Sequence, residues 1–119
     1  MNKEDLKIRT KQFALSVMKL IESLPDSLSG KIIGNQLLRS AISVGANYRS
    51  ACRGSSRAEF IAKLGISLEE ADENAYWLEL IIEGNLLKKE LIEPLLKEAN
   101  ELTATLFSSI KTSRSKKSN

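Results

Sequence analysis

Arg39, Arg49, Arg53 and Arg57 follow one another with no acidic residue between them. The chemistry such a set offers is phosphate recognition. A guanidinium is planar, always charged, weakly hydrated and able to donate two parallel hydrogen bonds to one phosphate. At 100° per residue, Arg39, Arg49 and Arg53 fall within an arc of roughly 80° on a helix. Gln36, Ser40, Ser43, Asn47 and Ser50 set neutral hydrogen-bonding groups among them. Lys111, Arg114, Lys116 and Lys117 form a second basic group, an auxiliary arm for the same kind of ligand. The counterweight follows directly. Residues 59–87 hold one base, Lys63, against seven acids: Glu59, Glu69, Glu70, Asp72, Glu73, Glu79 and Glu83. The arginines therefore have two uses open to them, a phosphate-binding surface or pairing with an acidic neighbouring helix. Aromatic interleaving, the mark of single-strand stacking, is missing, because only Tyr48 lies in the basic stretch and its spacing turns it to the core.

Several chemistries are excluded. The chain has no His and one Cys, Cys52. Ser-His-Asp and Cys-His catalysis, zinc fingers and disulfide frameworks all fail on that count. Glu69, Glu70, Asp72 and Glu73 suggest a metal site, but the di-iron bundles that use such helices need Glu-x-x-His pairs. An acidic solvated face is the simpler reading. Gly30-Lys31 lacks the upstream glycine and the following Ser/Thr of a phosphate-binding loop. No cofactor and no catalytic or metal residue is expected, and the chain reads as a non-enzyme.

The elements that must carry these residues are helices. The 119 residues fit one domain. Apolar residues make up 42%, aromatics only 5%, and Pro (2) and Gly (6) are scarce, which favours helix over sandwich or barrel. Four amphipathic stretches recur, at about 5–24, 31–53, 57–83 and 88–110. Pro25 ends the first, Gly54-Ser55-Ser56 separates the second from the third, and Gly84-Asn85 ends the third. Ser56 with Glu59 has capping-box spacing. Pro94 either kinks the fourth helix or marks its start. The stripe of that helix is read as Leu91, Leu95, Ala99, Leu102, Leu106 and Ile110. Gly34 and Gly45 lie beside the second stripe, where they permit a close neighbour or loosen the helix. Residues 111–119 contain no apolar side chain and read as a disordered basic tail. The expected architecture is all-α: an antiparallel up-and-down four-helix bundle over residues 1–110.

One bundle does not use all the apolar surface. Ile8, Leu15 and Met18, then Leu38 and Ile42, then Ile66, Trp77 and Leu80, then Leu96 and Phe107 all fall off the main stripes. Ile66, Trp77, Leu80, Leu38 and Ile42 are the candidates for a subunit interface, and the chain is expected to be a homo-oligomer. A wide core face plus ordinary surface leucines is the alternative. No apolar run approaches the length of a membrane span and no secretory leader is recognisable. With a lone thiol, the expectation is a cytoplasmic protein without membrane contact.

The run from Gln36 to Leu80 carries a resemblance. Gln36, Leu37, Arg39 and Ala41 open an ordered set that continues with Ser43, Ala46 and Asn47. Arg57, Glu59 and Phe60 follow, then Leu64, Ser67, Glu70 and Glu73. This set resembles the bacterial four-helix-bundle family named after proteins encoded in intervening sequences of 23S ribosomal RNA genes. The resemblance implies an antiparallel four-helix bundle assembled as a ring-shaped homopentamer with a central channel. The related accessory variability determinant of diversity-generating retroelements acts with a reverse transcriptase and binds nucleic acid through a basic surface. Where many relatives continue Ala-Asn with an Ile/Val-Ala-Glu-Gly run, this chain has Tyr48-Arg49-Ser50-Ala51, so an acid is absent and a base present. Two functions are thus expected to compete: RNA or DNA binding through the basic residues, or an adaptor that recruits a protein partner through the acidic third helix or the Trp77 patch.

Overall fold

The structure, a computed structural model, describes residues 2–116. Four helices account for nearly all of them: α1 (Lys3–Ile21), α2 (Leu28–Cys52), α3 (Arg57–Glu83) and α4 (Lys89–Ser115). No strand occurs among the described residues. The molecule measures 55 × 20 × 20 Å, so the helices lie side by side along one long axis.

Three of the four helix starts are set by short polar side chains, which satisfy amides that have no partner inside the helix; α4 starts at Lys88 without one. Asn2 accepts from the Asp5 amide at 2.8 Å and completes a capping box. Ser27 accepts from the Gly30 amide at 3.1 Å, so α2 begins three residues earlier than its apolar stripe indicates. Ser56 caps α3 as expected, accepting from the Glu59 amide at 3.1 Å. The Glu59 carboxylate, however, reaches one residue further out, to the amide (3.2 Å) and hydroxyl (3.0 Å) of Ser55. The Ser55 amide, then its hydroxyl, holds that carboxyl below its ordinary range.

Two connections depend on backbone geometry. α1 stops at Ile21, before Pro25, because a turn forms first through Ser23 and Leu24 amides donating to the Leu20 and Ile21 carbonyls. The chain then folds back so tightly that a Cβ on Gly30 would stand 2.2 Å from the Pro25 carbonyl oxygen. Between α3 and α4, the left-handed position falls on Asn85 (φ 56°), not on Gly84. Asparagine tolerates this region better than other side chains.

The core is one cluster running through all four helices, with Leu37, Val44, Leu64, Leu78, Ile81, Ile92, Leu102 and Leu106 fully buried. The expected stripe of α4 is corrected at its start. Leu91 is exposed and Ile92 is buried. At 100° per residue Ile92 lies roughly 20° from the direction of Ala99, and Leu91 roughly 80° away. The helix runs through Pro94, so Pro94 is not its start. α2 approaches α1 at Gly45, where a Cβ would meet Thr10 Oγ1 at 3.4 Å. Among buried polar side chains, Thr10 and Ser40 bind carbonyls of their own helix, and Asn74 donates to the Glu70 carbonyl while its Oδ1 has no partner among the described residues. The Ser67 hydroxyl donates to the Val44 carbonyl at 2.8 Å, joining α3 to α2.

The expected tail is corrected over residues 111–116; residues 117–119 lie outside the described residues. α4 continues through Lys111 to Ser115. Extending a helix that already exists adds one hydrogen bond per residue without a new nucleation cost. The Arg57 guanidinium donates to the Lys116 carbonyl and ties the end of α4 to the start of α3.

Candidate functional site

The four arginines of the basic stretch do not act as a set. Arg39 reaches across to α3, donating from Nη1 to Glu70 at 2.8 Å and from Nη2 to Glu73 at 2.6 Å. Trp77 Nε1 donates to the same Glu73 at 3.1 Å. Burial pushes the Glu70 carboxyl up, but hydrogen bonds from Ser43 and Arg39 outweigh it and leave the group below its ordinary value. Arg39 is correspondingly held charged by Glu70 and Glu73. Its role is to bridge α2 and α3, and it is withdrawn from the candidate phosphate surface.

Arg49 and Arg53 are different. Arg49 lies on the last turn of α2 and Arg53 caps its end; both are exposed and make no ion pair among the described residues. Arg57 stands at the start of α3, with its contact to Lys116. Lys111 and Arg114 are exposed on the last turns of α4, and Lys116 is the residue that leaves the helix. Lys117 lies outside the described residues.

Arg57 and Lys116 meet at one end of the molecule, whereas Arg49 lines the groove between α1 and α2 with Lys7 and Lys11. A cavity of about 920 Å³ at that end is lined from Lys3 at the start of α1, Tyr48 and Cys52 at the end of α2, Arg57 at the start of α3 and Lys116 at the end of α4. Cutting each helix at its midpoint shows how far charge is sorted. This end, residues 2–12, 41–69 and 103–116, carries eleven bases and four acids, a net +7. The other end, residues 13–40 and 70–102, carries six bases and eleven acids, a net −5. Lys117 restores the total of +3. Two helix starts and two helix ends meet at the basic end, so their dipoles largely cancel and side-chain charge decides the field.

One charged cluster gave no signal in the sequence. Arg9 of α1 holds Glu98 with Nε at 2.6 Å and Nη2 at 2.7 Å, and Nη2 also reaches Glu101 at 2.7 Å. Hydrogen bonding to Glu98 is the main reason this guanidinium is held charged. Partners so far apart in the chain and joined only by the fold leave no local pattern. The cluster clamps α1 to α4.

The candidate interface residues divide. Ile42 and Ile66 are exposed, at 49% and 42%. Leu38, Trp77 and Leu80 are half-buried, and Leu38 and Trp77 pack on the core. The Tyr76 ring, exposed on α3, meets Trp77 edge-on at 5.2 Å. Further exposed apolar side chains stand on α1 (Ile8, Leu15, Met18) and on α2 (Leu28, Ile32). Ile8, Ile42 and Ala46 line a groove of about 530 Å³ between these two helices, rimmed by Lys7, Lys11 and Arg49. Among the described residues no helix is long and apolar enough to cross a membrane.

Comparison with known proteins places the chain. Nothing among curated proteins matches it. Among solved structures it is similar to a protein of unknown function from the S23 ribosomal protein family of Bacteroides thetaiotaomicron VPI-5482. The two are 37% identical with a TM-score of 0.85, over 93% of this chain and 99% of that one. The family model described as 23S rRNA-intervening sequence protein matches residues 4–108, so the four helices and their ordered Arg, Glu and Asn positions belong to a member of the 23S rRNA-intervening sequence protein family.

Proposed function

We propose that this chain is a non-enzymatic, oligomeric nucleic-acid-binding protein that engages structured RNA through the basic end of an antiparallel up-and-down bundle. The observation that carries the reading is the separation of charge along the long axis, +7 against −5. Such a field steers a polyanion toward one end. The contact residues are Arg49, Arg53 and Arg57 with Lys111, Arg114, Lys116 and the further Lys117; Arg39 is not among them. Exposed Ile8, Leu15, Ile42 and Ile66 support assembly into a ring of copies, and five is the number that the family resemblance implies. The protein works in the cytoplasm without a cofactor or a membrane.

The test is fluorescence anisotropy of a labelled RNA hairpin titrated with the protein at two salt concentrations. Binding is expected to weaken steeply with salt. Changing Arg49→Glu and Arg53→Glu together is expected to abolish it while the helical circular dichroism is unchanged. Binding that survives this double change overturns the assigned surface.

A second reading is favoured by the exposed acidic face of α3. Tyr76 is exposed beside Glu69, Asp72 and Glu79 on α3, a surface suited to a basic protein partner. Its test must spare Glu70 and Glu73, which hold Arg39. A Glu69→Gln, Asp72→Asn, Glu79→Gln variant that still co-purifies the same protein removes this reading.

A further inference from the structure

The cavity at the basic end has a lining unlike the rest of the surface. Three bases face it, Lys3, Arg57 and Lys116, and none of its lining residues is Asp or Glu. Three acids stand close by, each with a partner of its own, and Glu59 holds Ser55 of the lining itself. Glu4 pairs with Lys7 at 3.0 Å, Asp5 caps α1 with Asn2, and Glu59 is bound by Ser55. One wall is a stripe of hydroxyls on α4. Thr105, Ser108, Ser109, Thr112 and Ser113 recur at helical spacing and lead to Lys116. None of these five hydroxyls makes a hydrogen bond among the described residues. Serine and threonine are indifferent helix formers, and an apolar stripe here would have lengthened the core. The opposite wall is apolar, with Leu6, Tyr48 and Phe60. Lys3 is held over the Phe60 ring at 4.6 Å from its centroid, and Arg57 is held by the Lys116 carbonyl. Two of the three cations are thus fixed in place before any ligand arrives. A volume of about 920 Å³ is within the range of small-molecule sites.

We propose that this cavity is a binding site for a phosphate monoester, with Lys3, Arg57 and Lys116 holding the phosphate oxygens and Ser109, Thr112 and Ser113 donating to them. The ester's organic part rests against Leu6, Tyr48 and Phe60. Two sources supply this chemistry: the 5′-phosphate end of a nucleic-acid strand, or a free nucleoside monophosphate. The site rests on and deepens the nucleic-acid reading, sharing Arg57 and Lys116 with it; Lys3 and the hydroxyls of α4 are its own, and the probes below separate the failure of one from that of the other.

The experiment uses the full chain, observed by amide NMR and by anisotropy. The probes are inorganic phosphate, adenosine 5′-monophosphate, and two oligoribonucleotides that differ only in carrying a 5′-phosphate or a 5′-hydroxyl. Phosphate and the monophosphate are expected to shift the amides of Lys3, Arg57, Ser109 and Ser113 saturably. The phosphorylated strand is expected to bind about tenfold more tightly than its partner, the scale of one charge-assisted hydrogen bond. Arg57→Gln should erase that difference, whereas Lys19→Gln, exposed at the far end of α1, should preserve it. Lys3→Gln repeats the test should Arg57→Gln disturb the start of α3. Monophosphate binding with no discrimination between the strands assigns the site to the free nucleotide and upholds it. No saturable shift at about 10 mM phosphate, with equal affinity for the two strands, overturns the proposal. Failure to bind an RNA hairpin while phosphate still binds overturns only the nucleic-acid reading.

Discussion

Arginines of identical chemistry take different parts here according to what faces them. Arg39 sits opposite Glu70 and Glu73, so replacing it breaks a bridge between helices; Arg49 faces solvent, so replacing it removes only a contact for a ligand. Arg39→Gln is therefore expected to lower stability modestly, by about 0.5–1 kcal/mol, because the pair is half exposed and screened. RNA affinity should be unchanged within twofold. Urea unfolding and anisotropy on the same variant check both halves of the statement. The bridge also sets a pH dependence. Glu70 has a depressed pKa in the fold, so its contribution is present above the ordinary carboxylate value. That contribution is lost as pH falls through the depressed one. Wild-type stability should decline on acidification below about pH 4.5, and Arg39→Gln should flatten part of that decline. At this scale the sequence was half legible. It showed an acidic α3 opposite a basic α2 and left pairing open, but it could not say that only Arg39 lies in register with a carboxylate. Register depends on how α2 slides along α3, which is decided by packing of Val44, Ser67 and their neighbours. The Arg9 cluster was not legible at all.

Helix number, type and order were legible, because each helix carries an apolar stripe and the first three a polar side-chain cap; the ends were less so. Apolar periodicity marks the part of a helix that packs, whereas caps mark the part that exists, so α2 begins at Leu28 beneath Ser27 and α4 outlasts its last buried residue, Ile110. Two expectations follow at this scale. Gly30→Ala places a methyl against the Pro25 carbonyl oxygen at 2.2 Å, a clash with backbone that cannot swing aside. A helix interior would ordinarily gain up to about 1 kcal/mol from this change, but the clash should reverse the sign and cost about 1–3 kcal/mol net. A lowered Tm checks it; a raised one shows that the α1–α2 turn is looser than the structure has it. Truncation after Ile110 distinguishes a tail from a helix. A disordered tail could be removed without effect. Loss of the last turns of α4 and of the Arg57 to Lys116 tie should reduce helical ellipticity beyond the length removed and lower Tm by a few degrees.

Charge at the scale of the whole molecule is a product of the fold. Counted along the chain, residues 29–58 form the basic block and residues 59–87 the acidic one. Folding redraws that boundary. Arg39 passes to the acidic end and is neutralised there, while Lys3, Lys7, Lys63 and the last turns of α4 join Arg49, Arg53 and Arg57 at the basic end. The composition, with a net +3, conceals a dipolar rod 55 Å long. Charges more than a Debye length apart, about 8–10 Å at physiological salt, act nearly independently. On the proposed function, an RNA would respond to the basic end and hardly sense the acidic one. The consequence is measurable as a slope. The logarithm of the binding constant should fall linearly with the logarithm of salt concentration, by roughly 0.7–0.9 for each phosphate neutralised. Arg49→Gln with Arg53→Gln should reduce the magnitude of that slope by about 1.4–1.8, because two phosphates are no longer neutralised. Glu79→Gln with Glu83→Gln, at the far end of α3, raises net charge by two and should leave the slope where it was. If the two pairs instead change affinity in proportion to net charge alone, the molecule is recognised as a diffuse cation, and the basic end is no site. If only the first pair alters the slope, RNA sits at the end of the bundle where the helix-start and helix-end bases converge, with its strand end within reach of the phosphate cavity.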